Sequence, residues 1–377
     1  MAEQPKEGIV GSLGAFRDLR GKFNDELAQA IASGDLAKAQ ILKSQLQGGL
    51  EQLKKELDPY QLKLRKELAK DGGFMYVGMF GEEGLARAQI LDREWTFIDR
   101  SGDPLKIGGE QKTFSLAYQF KEGRSVVRDD DGIRFLLPDG SFLGRQTYAS
   151  ANNFSEGLAA VQYQMSNTWN FIDHEGGTAF FENFSEVGNF SSGLARVKAA
   201  GRGADYWIYI NKNGERQFED RSFRRATDFS QGYAFVYCNP TDIDTYARSR
   251  TPGFFIMGKD GRIDLDKGFE EAKKFSEGQA PVYGNGSWYY IGHPSSPYTS
   301  ARGTYNSATP FSEGLAGVTI DNNYLYINQR GSRDFELEYT HSFIASPFQE
   351  GVAKISFAGR AVYIDHKGKE VKEFGNG

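Results

Sequence analysis

The sequence predicts a mainly β chain: a tandem array of eight three-stranded β-meander repeats behind an N-terminal α-helical hairpin. Three observations predict it. A block of the form Phe-x-x-Gly-Leu-Ala-x-Val recurs at Phe80 (with one extra residue before its Gly), Phe120, Phe154, Phe190, Phe229, Phe275, Phe311 and Phe348. Its glycines, Gly84, Gly123, Gly157, Gly193, Gly232, Gly278, Gly314 and Gly351, are spaced by 39, 34, 36, 39, 46, 36 and 37 residues, and a period in this range marks a repeat architecture. A second block, aromatic-x-Phe/Tyr-Ile-Asp/Asn-x-x-Gly, follows each first block. It is clean at Trp95–Gly102, Trp169–Gly176, Trp207–Gly214 and Tyr324–Gly331, lacks its first aromatic at Ala361–Gly368, and is degenerate at Ile133–Gly140, Phe254–Gly261 and Trp288–Ser295.

The residues before about 72 have a different period. Leu13, Phe16, Leu19, Phe23, Leu27 and Ile31 fall three or four apart, one stripe of a helix. Ser33-Gly34-Asp35 ends that helix and caps the next. Leu42, Leu46, Leu50, Leu53 and Leu57 form a second stripe, Pro59 interrupts it, and Tyr60, Leu64 and Leu68 continue a third short piece. The predicted division is a helical hairpin over 1–72 and the repeats over 73–377. An isolated hairpin of this length buries its stripes poorly. It therefore caps the array, pairs with a second copy or grips a partner.

Within one repeat, Ser-Glu-Gly suits a tight turn at positive φ, which a residue without Cβ adopts freely. Leu-Ala-x-Val then alternates as a strand. The Ala and Val face is nearly constant (Ala159/Val161, Ala234/Val236, Ala280/Val282, Ala316/Val318) and reads as core. The position between them varies (Arg87, Ala160, Arg196, Phe235, Pro281, Gly317, Lys354) and reads as solvent-facing. Trp-x-Phe-Ile-Asp is a second strand, and its aromatic and β-branched residues suit one. Asp-x-x-Gly turns the chain into a short third strand, at Thr178–Phe181, Glu215–Phe218 and Lys369–Glu373. The opening Phe is placed to plug the joint between neighbouring repeats.

At these residues the chain resembles the WG-repeat family of bacterial proteins, also called KWG repeats. The family pattern is Phe-x-Glu-Gly-Leu-Ala-x-Val, then Trp-Gly-Tyr/Phe-Ile-Asp-x-x-Gly, and the resemblance spans about residues 74–377. The first half matches well. In the second half the Gly after Trp is replaced, by Thr96, Asn170, Ile208 and Tyr289 among others, as in a divergent member. The resemblance implies a β-rich array and a bacterial source, and it brings no shared catalytic residues. An open superhelix is favoured over a closed, propeller-like ring, because complete repeats stand at both ends and no repeat is split between the termini.

Composition narrows the function. A net charge of -5 argues against a general nucleic-acid binder. The single Cys238 rules out an intramolecular disulfide framework and reads as a packed thiol. No apolar run approaches a membrane span, and the N-terminus lacks a signal layout, so the expected location is cytoplasmic. The four histidines, His174, His293, His341 and His366, lie far apart, and no metal-ligand spacing occurs, so no cofactor or metal is expected. His174 and His366 occupy equivalent turn positions. The run Asp129-Asp130-Asp131 lacks the oxygen spacing of a calcium loop and reads as a strand-connecting turn. The repeated Asp99, Asp173, Asn211, Asn328 and Asp365 read as Asx turns.

Two insertions break the period: Asn239–Gly253 in the fifth repeat and His293–Pro310 in the sixth. Insertions in repeat arrays map to loops and often carry function. The candidate partner-binding residues are Tyr246, Arg248 and Arg250 in the first and Tyr298, Arg302 and Tyr305 in the second. The leading reading is a non-enzymatic scaffold that binds another protein through the repeat surface and the N-terminal helices, which also offer a route to a homo-oligomer. A carbohydrate or cell-wall-ligand binder with an aromatic-lined surface is the alternative. A repeat-fold enzyme with its site at the inserts comes third.

Overall fold

The structure, a computed structural model, describes residue 38 and residues 63–91, 94–199, 205–218, 221–244, 251–296, 300–337, 343–357 and 360–371. The chain divides into two compact units, 1–64 and 65–377. In the first, the described residues 38, 63 and 64 are helical. The rest of the expected hairpin lies outside the described residues. In the second unit, residues 65–72 are helical and the remainder is almost wholly β. The unit begins eight residues before the boundary expected at 73, since Arg65 and Ala69 are buried within it.

Repeats are numbered one to eight by their opening Phe. Every described strand pairing is antiparallel and follows chain order, as a meander requires. The expected third strand forms in full in only some repeats: Arg333–Glu336 pairs with Asn323–Asn328, and Ile263–Phe269 with Gly253–Gly258. In others the chain after Asp-x-x-Gly keeps little more than a bridge to its own repeat: Ile172 to Thr178, Ile364 to Glu370, and the two-residue strand Arg216–Gln217. A leading strand ahead of the Phe takes its place, as in Tyr148–Ala151, Phe184–Val187, Ser307–Ala308 and Phe343–Ala345. The segment between repeats descends along one repeat and climbs along the next, so Phe184 pairs with Trp169 behind it and Ala199 ahead of it. This fuses repeats two to four into one ten-stranded sheet.

The expectation of a solvent-facing variable position holds at Lys354, which is exposed, is met in part at the half-buried Arg87 and Arg196, and is overturned at the other four copies. Ala160 and Phe235 are fully buried there, as are Pro281 and Gly317. At those four copies both faces of the strand meet protein. The residues vary because they complement one another in size. At Gly317, an added Cβ would meet the Tyr324 hydroxyl at 1.9 Å, so the tyrosine fills the space a side chain would need.

The opening phenylalanines do fill the joints. Six of them pack on the aromatic of the preceding repeat's Trp-x-Phe/Tyr strand, while Phe275 stacks on Phe235 of that repeat's other strand. Among the six are Phe120 on Phe97 at 4.9 Å, Phe154 on Phe135 at 5.1 Å and Phe190 on Phe171 at 5.0 Å. Phe229 on Tyr209, Phe311 on Tyr290 and Phe348 on Tyr326 repeat the contact at 4.9 to 5.0 Å. Tilted and edge-to-face ring pairs add about 0.5–1.5 kcal/mol each beyond burial. Buried hydroxyls extend the joints. Tyr209 donates to the Thr227 carbonyl and Tyr290 to that of Thr309, both at 2.7 Å. Burial raises both phenols, so they remain protonated donors.

The first and last repeats touch. Tyr76 stacks on Tyr363 with ring centroids 4.9 Å apart, and its hydroxyl donates to Glu350 Oε2 at 2.7 Å. The same oxygen accepts the Met79 N–H at 3.1 Å. Arg65, wholly buried, donates to the carbonyls of Val77 (2.8 Å) and Glu350. The open superhelix expected from the sequence does not include such a contact between its ends. No split repeat is needed, because side chains and the end of the helix make this joint instead of a shared sheet.

Candidate functional site

The antiparallel hairpins give the second unit two ends of different chemistry. At one end lie the Glu-Gly and Asp-x-x-Gly turns. At the other lie the tips that join the Leu-Ala-x-Val strand to the Trp-x-Phe/Tyr strand.

At the turn end of repeats two to eight, the residue before the repeat glycine is itself in the left-handed region: Glu122, Glu156, Ser192, Gln231, Glu277, Glu313 and Glu350 have φ between 52° and 59°. Two successive positive φ values make the two-residue hairpin turn that matches strand twist. For a non-glycine residue this costs about 1–2 kcal/mol. The side chains supply the compensation, because each reaches the next repeat. Glu122 accepts the N–H groups of Glu156 (2.7 Å) and Gly157 (2.9 Å), and Glu156 accepts that of Gly193 at 2.7 Å. Ser192 takes Gly232, Gln231 takes Gly278, Glu277 takes Gly314 and Glu313 takes Gly351, at 2.9 to 3.1 Å. Glu83 accepts Gly123 in the same way at 3.1 Å.

A second stitch comes from the Asp-x-x-Gly turns. Asp99, Asp173, Asn211, Asn328 and Asp365 each accept two backbone N–H groups two and four residues on, as Asx turns. This aims the following residue at the glutamate one repeat earlier. His174 Nε2 lies 2.9 Å from Glu122, Lys212 Nζ 3.8 Å from Glu156, Gln329 Nε2 3.0 Å from Glu277, and His366 Nε2 3.1 Å from Glu313. Burial alone would raise the Glu122 carboxyl. The bonds from His174 and from the Gly157 and Glu156 N–H groups outweigh it and hold the carboxyl below its ordinary range. The sequence reading gave these histidines no partner. The signal was present as a fixed offset: 52 residues separate both His174 from Glu122 and Gln329 from Glu277.

The tip end is different. Large apolar side chains are exposed there: Met165 (fully), Tyr206, Ile243 and Ile320 stand at the tips of repeats three, four, five and seven. Phe181 (90%) lies on the segment descending toward the tip-level Phe184, and Ile344 (77%) lies on a leading strand next to the tip-level pair Phe343 and Phe357. Tyr118, near the turn of repeat two, is exposed at the opposite end. Tip lengths also vary. Asn285-Gly286 closes one tip between Gly284 and Ser287, whereas the first insertion separates Cys238 from Gly253, which are paired.

The two insertions therefore do not converge. The first leaves from the tip end. The second begins at His293, whose N–H donates to Gly278 at the turn end. Tyr246, Arg248, Arg250 and Tyr298 lie outside the described residues. Arg302 is exposed, with its N–H 3.3 Å from the Arg330 carbonyl. Tyr305 is a core residue, 4% exposed, packed on Tyr290 and donating to the Arg302 carbonyl at 2.8 Å. Cys238 is half-buried, and burial pushes its thiol up to about 11, as befits a packed thiol. Among the described residues, no group of three His, Cys, Asp or Glu side chains is arranged to hold a metal ion, and no helix is long and apolar enough to cross a membrane.

The family model described as "WG containing repeat" matches residues 171–202 and 303–324. The chain contains WG repeats at these two stretches. No curated protein matches this WG-repeat chain in sequence. Among solved structures, BamB from Moraxella catarrhalis is similar over 68% of this chain and 86% of its own, at 9% identity and a TM-score of 0.42. AztD from Citrobacter koseri is similar over 74% and 91%, at 10% identity and a TM-score of 0.40. Hsv2p from Kluyveromyces lactis is similar over 75% and 89%, at 7% identity and a TM-score of 0.37. At these scores the likeness is too distant to transfer an activity to the WG-repeat chain.

Proposed function

We propose that the eight repeats form one closed, propeller-like ring, and that the protein is a non-enzymatic scaffold holding a partner protein against its tip end. The observation that carries this is the segregation of surface chemistry. The turn end spends its polar groups on joining repeats, while Met165, Phe181, Tyr206, Ile243, Ile320 and Ile344 expose apolar surface toward the tips. Exposed apolar surface with a polar surround is the usual mark of a protein-binding face. The sugar-binding alternative needs free aromatic faces, and three tryptophans are already covered by cations: Trp95 by Arg87, Trp207 by Arg196 and Trp288 by Lys273.

The test is affinity capture from source cells with three baits: the native chain, a Met165→Lys/Tyr206→Lys/Ile243→Lys variant, and Glu277→Gln at the turn end. The expected result is a partner held by the native chain and by Glu277→Gln but reduced at least about tenfold by the tip variant. Equal capture by all three baits overturns the tip-end assignment.

A further inference from the structure

One groove at the turn end is unlike the joints around it. It holds about 560 Å³ and is lined by Tyr233, Ile256 and Ile263, with Lys259, Arg262 and Pro294 among the residues at its rim. In repeats three, four, seven and eight, the residue after the Asx position reaches a glutamate of the repeat before. In repeat five that residue is Lys259, and the position it faces is Ser192 rather than Glu. Lys259 Nζ lies 3.8 Å from where a Cβ of Gly193 would stand, so the lysine occupies the usual place. Ser192 Oγ takes the Gly232 N–H at 3.1 Å, but it is neutral and too short to meet an ammonium. Among the described residues Lys259 has no carboxylate partner.

The two aspartates of the groove do not supply the missing charge. Asp260 accepts the Arg262 N–H at 3.0 Å and lies 3.5 Å from its guanidinium, and Asp264 accepts the Asp266 N–H at 3.0 Å. The adjoining histidine is also engaged. His293 sits edge-on to Tyr233 at 5.0 Å, with Nε2 2.9 Å from the Gln231 carbonyl and Nδ1 2.6 Å from Ser295 Oγ.

We propose that this groove binds an acidic peptide segment, one of whose carboxylates takes the place that Glu fills in the other repeats and pairs with Lys259. The neighbouring joints show the geometry: Lys212 meets Glu156 at the equivalent position of repeat four. The Tyr233, Ile256 and Ile263 floor takes the apolar side chain next to that carboxylate. The volume of about 560 Å³ lies in the range of sites that take a drug-sized ligand, with room for a carboxylate and the apolar side chain beside it. This site is at the opposite end from the face assigned to the partner protein, so the two readings stand or fall separately.

The probe is a capped, fluorescein-labelled hexapeptide of alternating Glu and Leu, compared with its Gln and Leu counterpart by anisotropy on the full chain. The acidic peptide is expected to bind about tenfold or more tighter than the amide one, and less tightly as salt is raised. Lys259→Met removes the preference. Ser192→Glu also removes it, by supplying the carboxylate from within the chain. Lys212→Met, whose lysine is already paired, leaves it intact. Circular dichroism confirms that each variant is folded. Failure of the native chain to prefer the acidic peptide overturns the proposal, as does a preference that survives Lys259→Met or Ser192→Glu.

Discussion

The two ends of the repeat unit are built by the same hairpins and yet obey different rules. At the turn end, nearly every irregularity has a partner one repeat away. Glu122 is strained at φ 52° and its carboxylate closes the next turn. At the tip end, lengths vary, a four-residue helix Pro240–Ile243 opens an insertion, and Met165 is wholly exposed at φ 61°. Joining the repeats constrains the first end, and the fold leaves the second free. That freedom makes the tip end the place for a partner.

Substitutions can break this comparison or sharpen it. The largest effect is expected at the joints between repeats. Phe171→Ala removes the ring on which Phe190 packs and costs about 3–5 kcal/mol in a denaturant titration. Arg65→Met at the contact between the first and last repeats follows. It leaves two carbonyls without their donor inside protein, at about 3 kcal/mol, and hydrogen exchange should loosen first in repeats one and eight. Glu277→Ala removes the acceptor for Gly314 and Gln329 and costs about 1–2 kcal/mol. The same kind of change at a tip, Met165→Lys, should stay within about 0.5 kcal/mol. Equal costs at the two ends would erase the distinction.

A pH titration sharpens it further. The folded Glu122 carboxyl is held below its ordinary value of 4.5. Its contribution to stability is therefore fully present above that value and is lost as pH falls through the lower folded value. Glu122→Gln should flatten the acid limb of a stability curve slightly and leave the neutral region little changed.

Much of the turn end was legible in the sequence. The repeat glycines, the Asx turns and the Phe joints follow from residue types at fixed offsets, and local chemistry sets all three. The leading strands are short and carry only a sparse signal, Ala151 and Ala308 each three residues before the opening Phe, and their pairing runs through neighbouring repeats. The contact between the first and last repeats was not legible, since the Tyr76–Glu350 bond joins residues 274 apart in sequence. Tyr305, a candidate partner-binding residue by its place in the second insertion, is buried. It stands six before Phe311, as Tyr148, Phe184 and Phe223 stand six before Phe154, Phe190 and Phe229, and all four are buried. That offset marks it as core. The unmet Lys259 needed the structure, because only there does the register across repeats place it against Ser192.

The most direct test of the two-ended account is hydrogen exchange on the full chain with and without its captured partner. The account predicts added protection around 163–169, 181–187, 199–210 and 236–244, with the Glu-Gly turns of repeats three to eight unchanged. Protection confined to those turns, with the tips unchanged, would contradict it.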